Sequence, residues 1–230
     1  MTTVSSDAKY EVAPNTDRRS VRVFQIAGWG FVVGLAIYFA GRYALRYFHY
    51  DAASYGPFWW PRARWLLPHV TAGLLALFLG PLQFWSALRR RYARLHRWSG
   101  RLYLAGVAVG ATMAAGLVWR MPPGLTHAAG LGGLAVAWVA TSSMALVAIR
   151  RGAIAQHREW MIRSYVVTFA FVTYRALIDI LRADAVGSGA DRAAFASWFC
   201  WAIPLLITEV VLQGRKLLRA PRRAIPALPE

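Results

Sequence analysis

Cysteine occurs once, at Cys200, and that scarcity removes several chemistries at the outset. No intramolecular disulfide is available, no cysteine pair exists to attach a haem covalently, and the cysteine-based zinc sites are out of reach. Acidic residues are few as well, 10 Asp and Glu against 27 Lys and Arg, for a formal net charge of +17. Such a balance suits nucleic acid, yet the basic residues form no separate arm and gather instead at the ends of apolar runs, so nucleic acid is not an expected partner. Charged residues altogether reach only 16%, less than a soluble domain carries. Residues 1 to 17 lack the basic start and short apolar core of a cleavable secretory leader, so the first apolar run is expected to remain in the mature chain.

What the sequence does contain is apolar length. It is 57% hydrophobic with a mean hydropathy of +0.36. A membrane-spanning helix needs roughly 20 apolar residues. Six runs approach that length, at about 23–45, 65–88, 98–119, 128–149, 160–181 and 194–213. The expected fold is an all-α membrane protein: six transmembrane helices in an up-down bundle, with helices two to five forming a four-helix core. Residues 1–22 read as a polar N-terminal arm, 23–215 as the membrane domain and 216–230 as a basic, proline-containing tail.

Orientation follows from the distribution of Lys and Arg. Nineteen fall on the side of the termini, which includes the hinges at 89–101 and 150–163, and seven fall on the opposite side. Both termini are thus expected in the cytoplasm, in a multi-pass protein of the bacterial inner membrane. The aromatic stretch holding Tyr50, Tyr55, Phe58, Trp59, Trp60 and Trp65 reads as an interfacial belt on the outer side. Gly106, Gly110 and Gly116 on helix three, with Gly130, Gly132 and Gly133 on helix four, serve close helix packing or leave room for a flat macrocycle.

Four of the five histidines occupy helix beginnings in an alternating pattern. His69 and His127 open helices two and four from the outer side; His96 and His157 open helices three and five from the inner side. They resolve into two pairs at two depths, each on alternate helices that lie diagonally in a four-helix bundle. A porphyrin iron with an imidazole on each face fits that placement, and two such centres divide a hydrocarbon layer of roughly 30 Å into shorter electron steps. The expected cofactors are therefore two haem b, the ligands His69 with His127 and His96 with His157, and the activity transmembrane electron transfer, with quinol or a small-molecule reductant as a candidate donor.

Ionisable groups inside a membrane default to functional hypotheses. Arg175 is a candidate for an outer haem propionate, the other reading being a pair with Asp179 four residues on. Arg97, Arg101, Arg158 and Arg163 are candidates for the inner propionates, although the positive-inside rule also explains them. Glu209 has no evident partner and reads either as a proton or quinone contact or as a neutral buried acid. His49 has no counterpart on another helix and reads as interfacial. The competing function class is a cofactor-free membrane protein, a small transporter or an accessory subunit docked on a larger membrane complex.

Two resemblances bear on these expectations. The segments His96-Arg97-Trp98-Ser99-Gly100-Arg101-Leu102-Tyr103 and His157-Arg158-Glu159-Trp160-Met161-Ile162-Arg163-Ser164-Tyr165 resemble those of a bacterial family of membrane proteins catalogued as a domain of unknown function, over most of residues 60 to 215. The helix-by-helix histidine plan is similar to the cytochrome b561 family, six-helix proteins with two b haems. That resemblance implies an outer haem on His69 and His127 and an inner one on His96 and His157. It is a match of architecture, and the family's ascorbate-associated basic motif is not found.

Overall fold

The computed structural model describes residues 16–118, 124–183 and 187–219, and every regular element among them is helical. The helices are α1 (Thr16–Phe39), α2 (Ala52–Trp59), α3 (Ala63–Phe84), α4 (Ser86–Arg91), α5 (Ala93–Val118), α6 (Leu125–Arg150), α7 (Ile154–Thr168), α8 (Ala170–Ala183) and α9 (Gly189–Arg219). They make six candidate membrane spans, Val23–His49, Ala52–Phe84, Ala93–Val118, Leu125–Arg150, Ile154–Ala183 and Gly189–Arg219, each long and apolar enough to cross a bilayer. A backbone without water must satisfy its polar groups internally, which is why apolar length here becomes helix. The two ends of the bundle are called inner and outer after the charge count above.

The helices run further than hydropathy alone places them. The third span starts at Ala93 and the fifth at Ile154, each within the basic hinge, so His96 and His157 lie in the first helical turn. Helices α1 and α9 extend past the expected limits of the N-terminal arm and the C-terminal tail; residues 1–15 and 220–230 lie outside the described residues. Two spans are interrupted. The first passes into a π-helical turn, Ala40–Ala44, and then a 3-10 turn, Leu45–His49. The fifth breaks at Phe169, one residue after Thr168 gives its hydroxyl hydrogen to the Ser164 carbonyl. Threonines bonded back to the preceding turn bend helices in this way.

Helix α3 packs on α5, α5 on α6, α6 on α7, and α7 returns to α3, closing the four-helix ring expected for spans two to five. Span one lies against α3 and α8, and α9 against α6, α7 and α8. Lipid supplies little drive for helices to associate, so close van der Waals fit carries the packing. Glycine provides it: a Cβ at Gly106 would stand 2.9 Å from the Ala72 carbonyl oxygen, and one at Gly130 would fall on the Ser197 side chain. Gly110 receives the Trp138 ring and Gly116 the Trp65 ring. These four glycines serve helix packing.

The centre of the ring is polar. The Tyr103 hydroxyl reaches from α5 to α7, 2.6 Å from the Ser164 hydroxyl and 2.7 Å from that of Thr168. Ser142 lies 2.7 Å from Ser164, and the Trp138 indole donates to Thr168 at 2.8 Å. A carbonyl only accepts, so Thr168 gives its hydrogen to the Ser164 carbonyl and accepts from Trp138 and Tyr103. Tyr103, having donated, accepts from Ser164, and Ser164 accepts from Ser142. All five groups are buried and all are satisfied, with one direction of donation.

The outer aromatic stretch is more than a surface belt. Tyr47 and Tyr55 are buried with Ala63, Leu66 and Leu117, and the Tyr55 hydroxyl donates to the Tyr47 carbonyl at 2.9 Å. Asp51 caps α2 by accepting from the Ser54 backbone N–H at 2.7 Å, which holds its carboxyl below the usual range. His49 ends the 3-10 turn just before this cap.

Candidate functional site

Three of the four helix-opening histidines are held alike. Nδ1 of His69 lies 2.8 Å from the Gly110 carbonyl oxygen, that of His127 3.0 Å from the Ala193 oxygen, and that of His157 2.8 Å from the Ala145 oxygen. Because a carbonyl only accepts, Nδ1 carries the hydrogen in each ring and Nε2 keeps a bare lone pair. None of these Nε2 atoms has a hydrogen-bond partner among the described residues. Among the described residues, the buried side-chain polar atoms left without a partner are His96 Nδ1 and Arg175 Nε. A metal-binding imidazole typically shows this arrangement, its second nitrogen donating to a backbone carbonyl that fixes tautomer and ring orientation. Each anchoring carbonyl belongs to Gly or Ala, whose small side chains leave it open to the ring.

The anchors also give the depths. On α5, Gly110 lies fourteen residues beyond His96, about 21 Å at 1.5 Å per residue. On α6, the Ala145 anchor of His157 lies eighteen residues beyond His127, about 27 Å. His69 and His127 thus lie toward one end of the bundle and His96 and His157 toward the other. The pairs sit on α3 with α6 and on α5 with α7, the diagonals of the ring. No hydrogen bond or ring contact joins His69 to His127 among the described residues. Of the four, His96 alone lacks a carbonyl anchor, and its Nδ1 is buried without a partner.

Arg175 does not pair with Asp179. Its guanidinium lies 5.0 Å from the Tyr43 ring centre and 5.8 Å from that of Tyr174, while Asp179 takes the Tyr43 hydroxyl at 2.5 Å on both oxygens. Tyr174 in turn lies 6.2 Å, centre to centre, from His127. Arg175, with its Nε unsatisfied, therefore stands one side chain away from the outer histidine level. Tyr43 belongs to the π-helical turn of the first span, a distortion frequent at functional sites. At the inner end Arg97, Arg101 and Arg158 are exposed, and Arg101 covers the Trp98 ring at 5.0 Å. Arg163 is buried and otherwise engaged, giving Glu209 the partner that sequence reasoning did not find: Arg163 Nε donates to Glu209 Oε2 at 2.7 Å. Cys200 is fully buried and free.

The four histidines are divided between the two ends of the ring, one on each of its helices. No cluster of three or more His, Cys, Asp or Glu occurs among the described residues. The fold defines a multi-pass, all-helical membrane protein whose four-helix ring carries one of these histidines on each helix. The chain belongs to the predicted membrane protein family DUF2306, whose model matches residues 66–212, a stretch that contains all four histidines. No curated protein and no solved structure is significantly similar to it.

Proposed function

We propose that this protein carries electrons across the bacterial inner membrane on two b-type haems. The observation that supports the reading best is the shared geometry of His69, His127 and His157, each locked through Nδ1 with Nε2 free, at two depths on a diagonal plan. His69 and His127 would hold the outer haem and His96 and His157 the inner one. A haem with two imidazole ligands supplies one-electron chemistry without an open position for oxygen. The Gly110, Ala193 and Ala145 carbonyls keep three imidazoles in the ligating tautomer, and the four-helix ring keeps water away. Arg175 is placed to receive an outer propionate, which would satisfy its buried Nε; Arg97, Arg101 and Arg158 offer the same to inner propionates at the membrane surface. A quinol or small-molecule reductant would feed the inner centre.

The test is a pyridine haemochrome assay with reduced-minus-oxidised spectra on protein purified after haem-supplemented expression. Two b-type haems per chain are expected, with His127→Leu retaining one. Protein that folds but shows no b-type absorption overturns the reading and leaves a cofactor-free transporter or accessory subunit of a larger complex.

A further inference from the structure

A cleft of about 370 Å³ opens between α6, α7 and α9 near the inner end, lined mainly by apolar side chains and closed on its polar side by Arg163 and Glu209. Its size lies within the range of small-molecule sites, and so does its make-up of apolar walls with a few convergent polar groups. Trp160 and Trp201 supply flat aromatic surface, and Thr141 a hydroxyl. The geometry points to this cleft as the site of a neutral, lipid-soluble quinone or hydroquinone.

Three observations favour that occupant. First, the cluster carries no net charge to attract an anionic lipid headgroup. Arg163 meets Glu209 at 2.5 Å and Glu159 at 3.8 Å, and Lys216 meets Glu159 at 2.6 Å, so two cations face two carboxylates. Hydrogen-bonding capacity without net charge suits a quinone carbonyl or hydroquinone hydroxyl. Second, the Arg163 guanidinium lies 4.7 Å from the Trp160 ring centre, so the polar end and an aromatic wall form one surface. Third, the cleft is one helical turn from the inner histidine on two helices. Trp160 follows His157 by three residues, and Thr141 precedes the Ala145 anchor by four.

Resting on the two-haem reading, the site also has a reaction. Bound hydroquinone loses two electrons and two protons to become the quinone. The two haems, when bound, would take up its electrons one at a time; one proton would go to the Glu209 carboxylate and the other to water at the exposed Gln213, which donates to Glu209 Oε1 at 2.6 Å.

Titrating decylubiquinone into the full-length protein in detergent, haem-free and haem-loaded, tests the proposal by calorimetry. One saturable site per chain is expected. Leu206→Trp, at a lipid-exposed rim position where folding is spared, should weaken binding at least tenfold by filling the cleft. Glu209→Gln should weaken it about tenfold through loss of a charge-assisted hydrogen bond. No saturable binding, equal binding by both variants, or equally effective displacement by phosphatidylglycerol overturns the quinone site. Haem-loaded protein without binding overturns this site alone. Saturable binding with both variant effects, in protein that takes up no haem, supports the site and overturns the haem reading instead.

Discussion

Tyr103 is fully buried, and its hydroxyl is both a donor and an acceptor in the core of the bundle. Tyr103→Phe removes two hydrogen bonds and leaves the Ser164 hydroxyl without its acceptor. We expect a loss of about 1–2 kcal/mol in detergent unfolding titrations, whereas Ser142→Ala, which deletes only the terminal donor, should cost under about 1 kcal/mol. The four histidines were legible in the sequence because they are rare and repeat once per helix. Their carbonyl anchors were not, since any residue has a carbonyl and only the fold decides which one faces a ring. Gly110, Ala145 and Ala193 carried the faint signal that small residues stand where large ones do not. The Arg163–Glu209 pair joins residues 46 positions apart on different helices, a separation over which periodicity carries no information.

Single helices respond to glycine changes with opposite signs. A Cβ at Gly80 would stand 2.1 Å from the buried Tyr165 ring, so Gly80→Ala on α3 should destabilise by about 1–3 kcal/mol through overpacking. Gly73, on the same helix, has nothing within 4 Å of such a carbon, and Gly73→Ala should be neutral or stabilising by up to about 1 kcal/mol. Thermal unfolding of the two variants side by side checks this. A glycine count reads both as packing residues; only the neighbour across the gap tells them apart. The broken fifth span was hidden for a similar reason, because Thr168 bends the helix by a hydrogen bond that apolar periodicity does not register.

At the scale of the whole molecule, number, order and ring arrangement of the spans were readable from hydropathy and short connections. The helix beginnings were not, because basic hinges that look like loops by hydropathy continue as helix. Topology can be measured on the native chain, since Cys200, the sole cysteine, is fully buried and gives little background to a polar thiol reagent. With a membrane-impermeant maleimide added to intact cells, Ser188→Cys should label, and Arg90→Cys only after permeabilisation; both positions are exposed. The reverse pattern would invert the bundle and exchange the outer and inner histidine pairs.

The one-way chain from Ser142 through Ser164 and Tyr103 to Thr168 bears on what the bundle lets through. A proton passing along hydroxyls must turn each of them round behind it. Here the last hydroxyl is tied to a backbone carbonyl, so reversal would give up that side-chain bond. That bond favours the single direction of donation along the chain.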